Sequence, residues 1–120
     1  MKIRGIEINK ASLAKMIDGS LLNPFTTLDE IKELVDMSLE YHTNSVCVNP
    51  NYLKYVADRL KGTDVKACVV IDYPFGTGTI EDKCREAEIA IQNGVEIMLL
   101  IMDTSRAATR PIFWKRSRHA

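Results

Sequence analysis

No apolar stretch in this sequence reaches the roughly 18–20 residues that a membrane-spanning helix needs, so no such helix is predicted. Cysteine is scarce: Cys47, Cys68 and Cys84 stand far apart, without a CxxC spacing, and there are two histidines. That argues against a disulfide scaffold and against a zinc site, and no metal is expected. A chain without a disulfide framework reads as a cytoplasmic protein in a reducing compartment. The first ten residues alternate charge with isolated isoleucines, which predicts no secretory leader.

What is present is the mixture of a single folded domain. The 120 residues are 46% hydrophobic and 27% charged, with enough apolar surface to offset the entropy of ordering. Net charge is zero but unevenly placed. Residues 1–103 hold all 16 acidic residues against 11 basic ones, whereas 104–120 hold five basic residues and no acid. The body is therefore expected to be mildly acidic, followed by a basic tail. Such a tail can serve as an arm for nucleic acid, or be an ordinary solvated terminus. The second reading is preferred, and nucleic acid is not expected as a partner.

Hydrophobic periodicity divides the body into alternating strands and helices. Residues 9–16 read as a short helical lead-in, followed by a short strand near 15–18 that Asp18-Gly19-Ser20 ends. Thr27-Leu28-Asp29-Glu30 has capping-box spacing. Ile31, Leu34, Val35, Ser38 and Leu39 then repeat at helical intervals, predicting one inward stripe. Ser45–Val48 reads as a buried strand ending at Asn49-Pro50. Pro50 opens a helix whose face is Tyr52, Leu53, Val56, Ala57 and Leu60, and Gly62 stops it. Residues 65–72 form a continuous apolar run, as strands buried on both faces do. A break at 73–78 leads to a helix capped by Thr79, with Ile80, Cys84, Ala87 and Ile91 as its expected stripe. Residues 95–102 form a last apolar strand. The pattern predicts an α/β fold of parallel βα units, about four strands. That is a small open sheet or half of a (β/α)₈ TIM barrel, because closing a barrel takes roughly 200 residues or more.

Ligands of parallel α/β sheets sit at the C-terminal strand ends. That marks Asp18, Ser20 and Asn23 after the first strand, Cys47 and Asn49 at the second, Asp72 and Tyr73 after the third, and Asp103 after the fourth. Asp18 reads either as a proton shuttle and hydrogen-bond anchor or as a turn former before Gly19. Cys47 reads as a nucleophile or, more simply, as a small buried hydrophobe. Gly76-Thr77-Gly78 reads as a phosphate cradle or a plain turn, since it lacks the full spacing of a phosphate-binding loop. His42 and His119 are expected at the surface. No lysine is expected at a C-terminal strand end, where an imine-forming amine would be desolvated.

Several segments together are similar to deoxyribose-phosphate aldolases. They are Met16-Ile17-Asp18-Gly19-Ser20-Leu21-Leu22-Asn23-Pro24-Phe25, Ser45-Val46-Cys47-Val48-Asn49-Pro50, Tyr73-Pro74-Phe75-Gly76 and Asn93-Gly94-Val95-Glu96-Ile97. Residues from about 10 to 101 resemble the first half of that family. The resemblance implies a class I aldolase that reversibly cleaves 2-deoxy-D-ribose 5-phosphate to D-glyceraldehyde 3-phosphate and acetaldehyde. It implies a lysine Schiff base and no cofactor, a small sugar phosphate as ligand and a homo-oligomer as assembly. By resemblance Asp18 is the catalytic acid of strand one, and Ser20, Asn23 and Cys47 are substrate-binding positions. The family's Schiff-base and relay lysines belong to later strands that have no counterpart here. Its strand-four acid follows a Glu-Ile pair, but Glu96-Ile97 is followed by Met98. These departures predict a gene truncated or frame-shifted near codon 98, with a domain over 1–103, a tail over 104–120 foreign to the fold, and a chain inactive on its own. The alternative is a non-catalytic half-barrel that self-associates or serves as a sugar-phosphate binding subunit.

Overall fold

A computed structural model describes residues 1–104 of the chain. The basic tail, His119 included, lies outside the described residues except for Thr104. The chain starts with a small antiparallel hairpin of β1 (Lys2–Ile3) and β2 (Ile6–Glu7), which no periodicity announced. Helix α1 (Lys10–Ala14) follows. Its cap is reciprocal: the Ser12 N–H donates to Asn9 Oδ1 at 2.9 Å, and the Asn9 N–H donates to Ser12 Oγ at 2.8 Å.

The first strand of the main sheet, β3, spans Asp18–Leu21, three residues later than expected. Gly19 and Ser20 are part of it rather than its end. The reason is close packing. A Cβ on Gly19 would lie 3.0 Å from Ser38 Oγ and 3.1 Å from Leu34 Cδ1, so the glycine lets the next helix approach the strand. That helix, α2 (Leu28–Tyr41), is held by the expected Thr27/Glu30 capping box, and Ile31, Leu34, Val35 and Ser38 are buried as the spacing predicts. The buried Ser38 hydroxyl has no hydrogen-bond partner among the described residues.

Strand β4 (Ser45–Val48), helix α3 (Pro50–Leu60, with Pro50 in its first turn), strand β5 (Lys66–Ile71), helix α4 (Ile80–Gln92) and strand β6 (Ile97–Leu100) complete the order. The four strands β3-β4-β5-β6 lie side by side in sequence order, all parallel. Alternation divides the sheet into two faces. Val46, Val48, Ala67, Val69 and Ile71 pack with Ile31, Val35, Leu53, Val56, Leu60 and Ala90 of the helices. Burying each larger aliphatic side chain there stabilises the fold by about 1.5–3 kcal/mol. Cys47, Cys68 and Val70, with Leu22 and Ile97, form a second cluster on the opposite, inner face.

Of the stripe expected for α4, only Ala87 lies on the less accessible face. Ile80 and Ile91 are 75% and 63% exposed, and Cys84 is exposed too. The less accessible positions are Lys83, Glu86, Ala87 and Ala90, at i, i+3, i+4 and i+7. Two of them are charged, so hydropathy could not nominate that face. Strand β6 is also more open than a central strand, with Met98, Leu99 and Leu100 at 41–54% exposure. Among the described residues no helix is long and apolar enough to cross a membrane.

Candidate functional site

Strand register assembles the inner face in rows. Asp18 stands beside Ser45, which stands beside Lys66 at the N-terminal end of the sheet. The next row is Ser20, Cys47, Cys68 and Ile97. Asp18 therefore opens β3 instead of following it. At about 3.3 Å per residue it lies roughly 10 Å along the strand from the C-terminal end. Its Oδ1 accepts from Asn44 Nδ2 at 2.8 Å and from Ser45 Oγ at 2.7 Å. These two bonds, Asn44 first, hold the Asp18 carboxyl below its ordinary range against the opposing effect of burial. In this arrangement Asp18 is a fixed anion. Nothing in the sequence pattern singles out Asn44 and Ser45, because only the parallel register brings the start of β4 to Asp18.

Ser20 faces Cys47 across the β3–β4 pair, and its hydroxyl donates to the Asp18 carbonyl at 3.0 Å. Cys47 is fully buried at 0% exposure. Asn23 lies apart from these three. It lines an open cleft of about 620 Å³ at the C-terminal ends of the strands, with Leu22, Asn49, Asn51, Tyr73 and Phe75. Asn49 fastens this end by donating to the Leu22 carbonyl at 3.1 Å. Asp18, Ser20 and Cys47 thus share one face, and Asn23 sits at its rim.

The loop after β5 is occupied with its own geometry. Asp72 has a left-handed backbone (φ 56), which Asp tolerates better than most residues. Its carboxylate accepts from the Gly78 N–H at 2.8 Å and pairs with Lys83 Nζ at 3.3 Å, while its own N–H donates to Glu86. The Gly76 N–H donates to the Asp72 carbonyl. Gly76 itself has φ 68, and a Cβ there would stand 2.6 Å from the Met102 carbonyl. The glycine amides that would cradle a phosphate are thus committed to the turn, and the plain-turn reading of Gly76-Thr77-Gly78 is the one the geometry supports.

Lys83 corrects the expectation that no lysine reaches a C-terminal strand end. Helix α4 brings its ammonium there, where it donates to the Gly76 carbonyl at 2.8 Å and the Ile101 carbonyl at 3.1 Å besides pairing with Asp72. Three acceptors take up the three donors of an ammonium, so this lysine is a clamp. Lys15 is at the other end of the sheet, bonded to the Thr43 and Asp64 carbonyls and paired with the Asp64 carboxylate at 2.8 Å. Met98 falls on the helix-facing side, in a groove with Lys83, Cys84 and Ala87, while Ile97 takes the inward position. Among the described residues no group of three or more His, Cys, Asp or Glu side chains could hold a metal ion.

No family model matches the chain. A deoxyribose-phosphate aldolase of Staphylococcus carnosus is 46% identical over 90 residues, which are 75% of this chain and 41% of that protein. One of Caldanaerobacter subterraneus subsp. tengcongensis is 40% identical over 94 residues, 78% of this chain and 41% of its own length. The solved tetrameric deoxyribose phosphate aldolase of Aeropyrum pernix superposes with a TM-score of 0.77 at 26% identity, covering 82% of this chain and 42% of that one. The chain spans about two fifths of the length of these relatives. Over the residues it matches, the chain belongs to the deoxyribose-phosphate aldolase family, and its parallel α/β sheet is half of a (β/α)₈ barrel.

Proposed function

We propose that this chain carries one side of a deoxyribose-phosphate aldolase pocket and, as a 120-residue polypeptide, does not complete the reaction. The relatives' name gives the substrate class, a 2-deoxyribose phosphate. In the implied reaction a lysine imine allows the carbon–carbon bond of 2-deoxy-D-ribose 5-phosphate to break into D-glyceraldehyde 3-phosphate and acetaldehyde. The observation that carries the reading is the inner face itself. It sets the anion of Asp18, the Ser20 hydroxyl and the Cys47 thiol on neighbouring strands, with Asn23 at the rim. Asp18 positions polar groups through its two hydrogen bonds. Ser20 and Asn23 supply hydrogen bonds to a sugar, and Cys47 shapes the wall. Imine chemistry needs an amine that can lose its proton and offer a lone pair. Lys15 and Lys83 are each held by several acceptors, and Lys66 opens β5 at the end of the sheet away from the cleft. The reducing cytoplasm belongs to the same proposal, supported by three free cysteines.

An amide NMR titration with deoxyribose 5-phosphate tests the binding half of this reading. Shifts should concentrate at Ser20, Asn23, Cys47 and their strand neighbours. Shifts confined to the opposite end of the sheet, around Lys15 and Asp64, would contradict it.

Self-association is a second reading, favoured by one observation. Strands β3 and β6 are the outer strands of the sheet and are unpaired on their outer edges among the described residues, and β6 exposes Met98, Leu99 and Leu100. Open edges of this kind recruit further strands. The Aeropyrum pernix relative is described as a tetramer. Sedimentation velocity of the chain should show a species heavier than the monomer; a monomer over a wide concentration range would contradict it.

A further inference from the structure

Cys47 and Cys68 are the third residues of β4 and β5, and they are direct partners in the parallel register. Alternation sends both side chains to the inner face, where they form one cluster with Val70. Both are free thiols, at 0% and 1% exposure. Neighbouring strands lie about 4.8 Å apart, inside the Cα separation of roughly 4.4–6.8 Å that a disulfide spans. We propose that Cys47 and Cys68 form a reversible dithiol–disulfide site within the barrel wall, oxidised by a small peroxide. This inference rests on the sheet alone and holds whether or not the chain takes part in aldolase chemistry.

The pair divides the labour. Each thiol shifts the other: the neighbouring Cys68 thiol lowers the Cys47 pKa against burial and the nearby Asp18 charge, whereas Cys47, with burial, pushes the Cys68 thiol up. Cys47 is accordingly the attacking thiolate and Cys68 the resolving thiol. The Cys47 thiolate attacks one peroxide oxygen and breaks the O–O bond. That leaves a sulfenic acid and a hydroxide, which collects the proton Cys47 gave up. The Cys68 sulfur then attacks the Cys47 sulfur and breaks its S–O bond, and the oxygen leaves as water with the Cys68 proton. Two thiols are oxidised, one peroxide is reduced, and two waters form.

Burial and orientation set the character of the site. A sulfur with almost no exposed surface admits a small neutral oxidant and excludes a bulky disulfide reagent. Side chains on adjacent parallel strands point the same way and not toward each other, so the bond is strained, and strained disulfides are the readily reduced ones.

Cys84 is exposed on α4, away from the pair, so Cys84→Ser leaves two thiols to follow. The folded Cys84→Ser chain is treated with hydrogen peroxide, freed of excess reagent, unfolded and alkylated. The expected result is a monomer that takes no alkyl group and has lost the mass of two hydrogen atoms. Its Cys47 and Cys68 peptides should be linked, and dithiothreitol should restore both thiols. Two alkylated cysteines, an oxygen added at Cys47 beside an alkylated Cys68, or a cross-linked dimer would each overturn the proposal. In the Cys68→Ser/Cys84→Ser chain the Cys47 sulfenic acid should persist and be trapped by dimedone; absence of the trapped product in that folded chain would overturn the role given to Cys47.

Discussion

The contact between Gly19 and Ser38 sets how closely α2 approaches the sheet. A methyl group at position 19, itself partly buried, would press on the buried Ser38 Oγ at 3.0 Å and Leu34 Cδ1 at 3.1 Å. Gly19→Ala should cost about 1–3 kcal/mol through overpacking. Ser38→Ala removes a buried hydroxyl without a partner and should leave stability unchanged or slightly raised. In the double variant the cost of Gly19→Ala should shrink, because the atom it strikes has gone. Urea unfolding of the four proteins measures this cycle, and strictly additive effects would contradict the packing account.

Charge at the opposite end of the sheet gives a pH dependence. Asp64 accepts from His42 Nδ1 at 3.0 Å and pairs with Lys15 at 2.8 Å. These contacts, Lys15 first, lower its pKa from 3.8 to about 2. A carboxylate depressed by folding contributes stability that is complete above its unfolded value and is lost as pH falls through the folded one. The chain should therefore lose stability between about pH 4 and pH 2, and Asp64→Asn should flatten that part of the curve. Denaturant midpoints across the acid range report it. Identical acid slopes for the two proteins would mean that Asp64 is not the group responsible.

At the scale of elements, the helices show what a sequence pattern can and cannot carry. The stripes of α2 and α3 were legible because their inward positions are aliphatic and their starts are marked by Thr27, Glu30 and Pro50. Helix α4 has the same cap signal in Thr79 but turns charged residues toward the sheet end. Lys83 and Glu86 face inward because Asp72 and the Gly76 and Ile101 carbonyls offer partners, and those partners are known only once the strands are placed. Strand β3 illustrates a related point: Gly19 signals a turn by composition, and only the nearness of α2 explains it as a strand residue. Lys83→Met would strip three acceptors of their donor at once, at 15% exposure for the lysine side chain. It should cost roughly 1–3 kcal/mol. It should also speed hydrogen exchange at Ile101, whose N–H bonds to the Ile71 carbonyl. Unchanged exchange there would show that the clamp does not hold the end of β6.

The whole molecule joins a legible architecture to a site that is only partly legible. Alternating apolar runs and helical stripes suffice for parallel βα units, and the order β3-β4-β5-β6 follows from short connections. The candidate residues Ser20, Asn23 and Cys47 were visible as polar or reactive positions at strand ends. The placement of Asp18 at the start of β3, its anchoring by Asn44 and Ser45, and the pairing of Cys47 with Cys68 all depend on strand register, which the sequence pattern leaves open by a residue or more. The central claim is that this polypeptide presents one wall of an aldolase pocket without an imine-forming lysine. Incubating the folded 120-residue chain with deoxyribose 5-phosphate and borohydride, then weighing it, tests this most directly. The account predicts an unchanged mass and no released glyceraldehyde 3-phosphate, with circular dichroism showing a folded α/β chain. A reduced sugar adduct on any lysine would contradict it.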